Sequence, residues 1–381
     1  MSKQRALDAI NGIMPDHTPQ WDFPDNPGLA EYLFDYDIWE DPLRTYVDLL
    51  KYFDIDTAHY LPGDIAEFNF PLVRYYGDAT YTDDPSNDGY KRAYKPQVNK
   101  PYTSMYDSLG MSCSGSFWGM GPTLVMKDFY CKTPEEVLAF NPLEHDTHTL
   151  EERTKFFQQY YAEKQKLMGD STLFFGWYYH TLFMWPVEIF GWENFMIASM
   201  MDPKRFEEIL AQFLTLTIRD VTAMCSVESL DLIGMHDDLV SANGPMFNPD
   251  WYRKYIFPYY HEVFDIIHGA GKKLFYCICG NFMALLDDIY ATGPDGIAMD
   301  VNNDLAKVTE KFTGKIIMGG GIKPDIITSG SKEDIDAMVK NIFEITKHEP
   351  GYFYQSHGMC GNTPIENVIF YQECIKKYSK K

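Results

Sequence analysis

Short apolar runs alternate with helix-length amphipathic segments through most of this chain. The apolar runs predict β-strands at residues 54–60, 122–127, 172–177, 230–235, 273–278, 295–299, 315–318 and 352–355. The amphipathic segments predict helices at 192–227 (with a break near 202–203), 249–269, 282–292, 305–312, 332–347 and 364–377. Glycines close several of these segments, as is typical of helix C-termini. Strands that alternate with helices in this order favour a parallel sheet.

Eight such strands in 381 residues predict an α/β fold, a TIM (β/α)8 barrel with an elaborated N-terminal region. An open doubly wound sheet is the alternative, but no glycine-rich nucleotide loop follows an early strand. We expect one barrel domain over residues 1–381, with an N-terminal helical extension at 1–53. Residues 62–120 are rich in Tyr, Asp, Pro, Gly and Ser and predict an insertion or a lid over the barrel mouth.

Charge and composition narrow the class of protein. A formal net charge of −22 argues against nucleic acid and anionic membranes as partners, because phosphates require a basic surface. No stretch reaches the roughly 18 apolar residues of a membrane span, and the N-terminus has no apolar signal core. Seven scattered cysteines do not form a disulfide framework. We therefore expect a cytoplasmic protein with reduced thiols.

Two cysteines close the predicted strand at 273–278. Cys277 and Cys279 are separated by one residue, so their side chains lie on the same face of a strand. The carboxyl ends of barrel strands carry the active site. Thiolates in this position predict a soft-metal site, and zinc is the metal that they favour. The alternative is a pair of core or loop thiols without a metal.

Other candidate residues follow neighbouring strands. His236, Asp237 and Asp238 follow the strand at 230–235 and are predicted as catalytic residues, with an acidic residue among them as a general acid or base or as a fourth metal ligand. Alternatively, Asp238 caps a turn and His236 is its neighbour. Predicted substrate-binding residues, which alternatively pack a loop or cap a helix, are Tyr178, Tyr179, His180, Trp185 and Asn281.

Several short motifs lie between about residue 170 and the end of the chain. None of them is specific for a protein family alone, but their combination is. They comprise Cys279-Gly280-Asn281, Gly319-Gly320-Gly321-Ile322 and Ser356-His357, with segments 186–194, 234–245, 269–273, 285–288 and 363–368. These motifs resemble those of the uroporphyrinogen decarboxylase superfamily, whose fold is a TIM barrel. True porphyrinogen decarboxylases grip their substrate with an N-terminal arginine-rich motif. Residues 17–24 here contain no arginine, and an acidic protein repels an octacarboxylate, so we do not expect porphyrin decarboxylation.

The second branch of this superfamily consists of cobalamin-dependent methyltransferases. Similar members bind zinc through a His-x-Cys pair on a barrel strand and a further Cys near the last strand. Here Cys277-Ile278-Cys279 occupies the position of that pair, so cysteine replaces the histidine. His357 or Cys360 corresponds to the third ligand, and the sequence leaves both open.

The resemblance implies a zinc-dependent methyltransferase of a corrinoid system. The abundant aromatic residues favour demethylation of a methoxylated aromatic, with the methyl group passed to a corrinoid protein that carries the cobalamin. The substrates would be small-molecule methyl donors or acceptors, and a homo-oligomer is compatible with the sequence. One alternative is a metal-independent decarboxylase of a non-porphyrin carboxylate that uses Asp237 and His180. Another is a non-catalytic binding protein that acts on a corrinoid protein.

Overall fold

The computed structural model describes residues 2–24, 26–36, 41–59, 61, 129–179, 181–356 and 363–380. The predicted strand at 122–127 and the whole of the proposed lid at 62–120 lie outside these residues. The described strands are β1 (Thr57–Ala58), β2 (Leu173–Phe174), β3 (Gly176–Tyr178), β4 (Leu232–His236), β5 (Val240–Ser241), β6 (Gly244–Pro245), β7 (Lys273–Ile278), β8 (Gly296–Met299), β9 (Ile316–Gly319) and β10 (Tyr352–Phe353). Seven of the eight predicted strands therefore overlap strands of the structure.

The described helices are α1 (Ser2–Ile10), α2 (Pro27–Leu33), α3 (Pro42–Tyr52), α4 (Pro134–Ala139), α5 (Leu150–Met168), α6 (Met184–Phe190), α7 (Trp192–Met201), α8 (Pro203–Cys225), α9 (Pro249–Tyr255), α10 (Phe257–Gly269), α11 (Leu286–Ala291), α12 (Leu305–Lys311), α13 (Pro324–Ser329), α14 (Lys332–Thr346) and α15 (Ile365–Tyr378). The predicted break near residue 202 is present, and Asp202 caps α8 by accepting from the N–H of Arg205. None of the helices in these ranges has the length and apolar content that a bilayer span requires.

The longer strands pair in parallel and form one sheet. Six strands form a sheet in the order β10-β9-β8-β7-β4-β3, and β1 pairs in parallel with β2. Strands β2 and β3 follow each other directly, separated by Phe175, whose N–H donates to the carbonyl of Ala58. The result is an α/β protein with a parallel sheet, consistent with a TIM-barrel-like fold.

The N-terminal segment contributes to this sheet. Trp21 forms a parallel bridge with Thr57 in β1, and Gln20 forms one with Tyr354 directly after β10. Segment 20–21 therefore pairs with both the first and the last main strand. This strand-like segment was not predicted, although it lies within the region in which the sequence predicted a helical extension. Helices α1 to α3 occupy much of the remainder of that region.

Two apolar clusters lie on opposite faces of the sheet. The larger one fills the space between the strands and the surrounding helices. The smaller one, here called the inner cluster, takes alternate residues from the strands and includes Trp21, Phe175, Phe275, Cys277 and Phe353. Because side chains alternate along a strand, the residues two positions beyond these also point to the inner face. That rule decides which candidate residues meet at the carboxyl ends of the strands.

Candidate metal centre

Three potential metal ligands meet where β4 and β7 end. His236, the last residue of β4, is the register partner of Cys277 in β7, and Cys279 follows β7 on the same face. One ligand atom from each of the three side chains lies within 4.8 Å of the others. His236 and Cys277 are buried, and Cys279 is partly exposed. The structure thus brings the predicted cysteine pair together with a histidine from the neighbouring strand.

The spacing and chemistry of these donors suit a zinc ion. Tetrahedral zinc, with bonds of about 2.3 Å to sulfur and about 2.0 Å to nitrogen, holds such atoms about 3.5 Å apart. The Sγ of Cys279 lies 3.6 Å from Nε2 of His236. The other ring nitrogen of His236, Nδ1, is buried without a hydrogen-bond partner among the described residues. The three donors thus fit a metal ion. The described residues do not supply a hydrogen-bond partner for Nδ1 of His236.

Asp238 connects the histidine to the cysteine loop. Its Oδ1 lies 2.9 Å from Nε2 of His236 and accepts the backbone N–H of Cys279 at 3.0 Å. Burial alone would lower the pKa of His236, but Asp238 and Cys279 raise it well above its usual value. The pKa of the Cys279 thiol is also raised, by its contact with Cys277, by burial and by the Asp238 carboxylate. A metal would therefore have to displace protons from this cluster.

The loop that carries Cys279 is fixed on both sides. Gly280 has a φ of +95°, and a Cβ there would lie 2.8 Å from the carbonyl oxygens of Val240 and Ser241, so only glycine fits. Asp300 accepts the N–H of Gly280 at 2.8 Å, and Asn303 donates to its carbonyl at 2.9 Å. These contacts hold the second thiol in place beside His236.

Aromatic side chains form a wall next to the donors. The ring of Trp177 lies 5.4 Å from that of His236, and the ring of Tyr179 lies 4.5 Å from it in an edge-on orientation. His59, directly after β1, lies 4.3 Å from Trp177. Gly234 on β4 leaves room for Trp177, because a Cβ there would lie 2.5 Å from the indole. The wall offers flat apolar surface beside these potential metal ligands.

Asp237 does not share this site. Its side chain is fully buried and points to the opposite face of the sheet from those of His236 and Asp238. The carboxylate accepts the N–H groups of Phe183 and Met184 at 2.9 and 2.7 Å, and the hydroxyl of Tyr260. Burial raises the pKa of Asp237 to about 7, although these hydrogen bonds oppose the shift. This placement fastens the start of α6 to β4 and keeps Asp237, predicted as catalytic, away from the donors.

Two of the predicted substrate-binding residues also lie elsewhere. Tyr178 and Trp185 belong to the larger cluster between strands and helices and are almost wholly buried. The Tyr178 hydroxyl lies 3.4 Å from a carboxylate oxygen of Asp220 on α8, and Trp185 packs edge-on against Phe213. Side chains alternate along β3 and the residue after it, so Trp177 and Tyr179 point to the inner face while Tyr178 points to the outer face. This explains why Tyr178 does not reach the donors.

Of the remaining predicted site residues, only Asn281 lies within the described residues. Asn281 lies in the fixed loop, and its Oδ1 accepts the N–H of Met283 at 3.1 Å, so this oxygen stabilises the turn. His180, His357 and Cys360 lie outside the described residues.

Sequence reasoning missed three functions at this site. His236 was predicted as a catalytic residue and is, by its position, a potential metal ligand, while Trp177 and His59 were not singled out. Alternation along the strand at 172–177 was the available signal for Trp177. The pairing of His236 with Cys277 depends on strand register, for which the sequence alone gives no signal.

Comparison with known proteins supports the superfamily resemblance. The family model for uroporphyrinogen decarboxylase (URO-D) matches residues 187–378, which is half of the chain. The chain is 24% identical over 139 residues to a uroporphyrinogen decarboxylase of Geobacter sulfurreducens, covering 36% of this chain and 40% of that protein. It is 26% identical over 138 residues to the methylcobamide:CoM methyltransferase MtbA of Methanosarcina acetivorans, again covering 36% and 40%. The matches thus span 40% of the length of these two relatives.

A solved structure resembles the whole chain. It is a methyltransferase from Methanosarcina mazei, with a TM-score of 0.64, 15% sequence identity, and coverage of 99% of this chain and 98% of that one. At this identity the likeness establishes a shared fold. The family match and the two relatives support an enzyme.

Proposed function

The chain belongs to the uroporphyrinogen decarboxylase family, and we propose that it is a zinc-dependent methyltransferase of a corrinoid system. In this proposal it demethylates a methoxylated aromatic substrate and passes the methyl group to a corrinoid protein. The observation that carries the proposal is the cluster of His236, Cys277 and Cys279, whose donor atoms lie within 4.8 Å of one another. Zinc sites with three protein ligands leave a fourth position for substrate.

We further propose that the parallel strands close into an eight-stranded TIM barrel. Support comes from segment 20–21, which bridges to β1 on one side and to the residue after β10 on the other. In a barrel, all eight carboxyl strand ends surround one mouth. His236, Cys279 and the aromatic wall would then face a common pocket.

The residues that would hold zinc are His236, Cys277 and Cys279. His357 and Cys360 remain candidates for a further ligand from the last loop. Bound zinc would act as a Lewis acid on the oxygen of the methyl ether. The phenolate would then be a better leaving group when a reduced corrinoid takes up the methyl group. One carboxylate oxygen of Asp238 lies 2.9 Å from Nε2 of His236 and accepts the backbone N–H of Cys279, so zinc binding at Nε2 would displace this oxygen from the imidazole.

The aromatic wall supports the choice of substrate. Trp177 and Tyr179 both lie against His236 and are partly exposed, so they offer flat surface within reach of the proposed metal. Aromatic rings pack well against such surfaces. The cobalamin would be carried by a partner protein, which has to approach the same mouth.

Decarboxylation of a non-porphyrin carboxylate is the rival function, because part of this chain resembles decarboxylases. The rival was expected to use Asp237 and His180. Asp237 is fully buried and engaged with α6, which does not support that role. Residues 17–24, which contain no arginine, also give no support to porphyrin as the substrate.

A methyl-transfer assay tests the proposal. Purified protein is incubated with a reduced corrinoid protein and a panel of methoxylated aromatics, and both the methylated corrinoid and the free phenol are measured. We expect both products in equal amounts. Loss of a residue that only supports a metal ligand lowers activity by up to roughly 100-fold. Cys279→Ser removes a proposed ligand itself, so its methyl-transfer activity should fall further than that. Cys225→Ser, at the end of α8, should retain activity. Release of carbon dioxide from carboxylated substrates, unaffected by Cys279→Ser, would instead establish the decarboxylase.

A further inference from the structure

Gln355 is a buried polar side chain at the carboxyl end of the last main strand. It lies two residues after the end of β10 and is only 4% exposed. Phe353 belongs to the inner cluster and Tyr354 to the larger cluster. Because side chains alternate along an extended chain, Gln355 points to the inner face. The proposed barrel would place it at the same mouth as the metal donors.

The side-chain oxygen of Gln355, Oε1, is buried and has no hydrogen-bond partner among the described residues. It lies directly against Gly319, the last residue of β9, where a Cβ would be only 2.6 Å from it. Burying an acceptor without a donor is costly, and an apolar side chain of the same length would avoid this cost. A bound molecule that donates a hydrogen bond would remove it as well.

One row of register partners connects β10 to the metal donors. Across the sheet this row contains Phe353, Met318, Ala298, Cys277 and His236. Gln355 and Cys279 each lie two residues beyond the row, and three strand spacings separate them, about 14 Å along the sheet. In the proposed barrel the sheet curves around one interior, so the two side chains project toward each other. A single aromatic ring between them would have a metal ligand at one end and the amide at the other.

The unpaired oxygen of Gln355 is an acceptor, so the group that it recognises has to donate a hydrogen bond. On a methoxylated aromatic a phenolic hydroxyl can donate, whereas an ether oxygen and a carboxylate only accept. The terminal torsion of glutamine is broad, and among the described residues no hydrogen bond fixes Oε1. The amide can therefore turn its oxygen toward a hydroxyl group in the mouth.

We propose that Gln355 is a specificity-determining residue, whose Oε1 accepts a hydrogen bond from a hydroxyl group on the aromatic substrate opposite its methoxy group. The inference rests on the proposed function and narrows its substrate class to methoxyphenols over plain methoxybenzenes. Gly319 supports this role, because a side chain there would collide with the amide oxygen.

Calorimetric titration of the purified full chain with 4-methoxyphenol and with methoxybenzene tests the inference without any methyl transfer. The wild type should bind the phenol about tenfold more tightly, the ratio that corresponds to ~1.4 kcal/mol and to one net hydrogen bond. Gln355→Met has a similar length without the amide and should reduce this ratio to about one without weakening methoxybenzene. Gln355→Glu, which keeps an acceptor oxygen, should retain a preference for the phenol.

A matched control and a stability measurement separate recognition from a structural role. Gln372 on α15 is also buried, at 2% exposure, and Gln372→Met should leave the ratio unchanged. Gln355→Met should unfold at the temperature of the wild type or above it, because the substitution removes an unpaired buried acceptor. A lower unfolding temperature with an unchanged ratio would show that the amide serves the fold, for example through a buried water, and would overturn the inference.

The outcomes distinguish this inference from the proposed function. If the wild type binds both compounds with equal affinity, or if Gln355→Met weakens both equally, the inference fails while the aromatic substrate class stands. If the wild type binds neither compound, the aromatic substrate class fails and the role of Gln355 fails with it.

Discussion

His236 and Cys277 lie side by side because β4 and β7 pair in parallel with these two residues in register. Cys279 joins them because residues two apart share a face of the strand. The donor set is thus assembled from two neighbouring strands, and each side chain is fixed by the backbone that carries it. This arrangement gives His236 a role distinct from that of the adjacent Asp237.

Removing the imidazole should weaken metal binding. In His236→Ala, two thiols remain from the three donors, so we expect zinc affinity to fall at least about tenfold. Competition with a chromogenic chelator measures this change. His268→Ala is the control, since His268 pairs with Asp295 and is not part of the donor cluster. Equal zinc affinity in His236→Ala and the wild type would remove His236 from the ligand set.

Asp237 should matter for stability more than for chemistry. Asp237→Ala leaves the N–H groups of Phe183 and Met184 and the Tyr260 hydroxyl without their acceptor inside the protein. We expect the free energy of unfolding to fall by about 3 kcal/mol or more, measured by urea denaturation. The exposed cap Asp304, replaced by alanine, should cost only about 1 kcal/mol. Lost methyl transfer with unchanged stability would instead restore the catalytic role predicted from the sequence.

At the scale of elements, the loop after β7 sets the position of the second thiol. Gly280 and Gly293 have nearly equal positive φ angles, +95° and +92°, but only Gly280 is crowded by neighbouring carbonyls. Gly293→Ala should therefore cost about 1 kcal/mol for its backbone conformation alone. Gly280→Ala should cost about 2 kcal/mol or more and also weaken zinc binding. Thermal unfolding and chelator competition measure both, and equal effects of the two substitutions would contradict this account.

Most strands were predictable because buried parallel strands form continuous apolar runs. Segment 20–21 was missed because only Trp21 in it is strongly apolar and Pro19 precedes it, so the local signal resembles a loop. Its pairing with Thr57 and Tyr354 depends on residues far away in the chain. The same limit applies to the site. The cysteine pair could be predicted from local spacing, whereas His236 and His59 reach their neighbours through tertiary pairing.

For the molecule as a whole, the net charge of −22 bears on how a corrinoid protein would approach. If the partner presents a basic surface, long-range attraction accelerates association and is screened by salt. We expect the second-order rate of methyl transfer at limiting partner concentration to fall several-fold between low and physiological ionic strength. The rate at saturating partner should change little. A second-order rate that is independent of salt would show that the acidic surface does not steer docking.

The central claim is a metal centre built from His236, Cys277 and Cys279, and metal analysis of protein purified without oxygen tests it most directly. The account predicts about one zinc per chain in the wild type and its loss in a folded Cys277→Ser/Cys279→Ser variant. A Cys225→Ser variant should keep the metal. A well-folded wild type that contains no metal and takes up none when zinc is supplied would contradict the account.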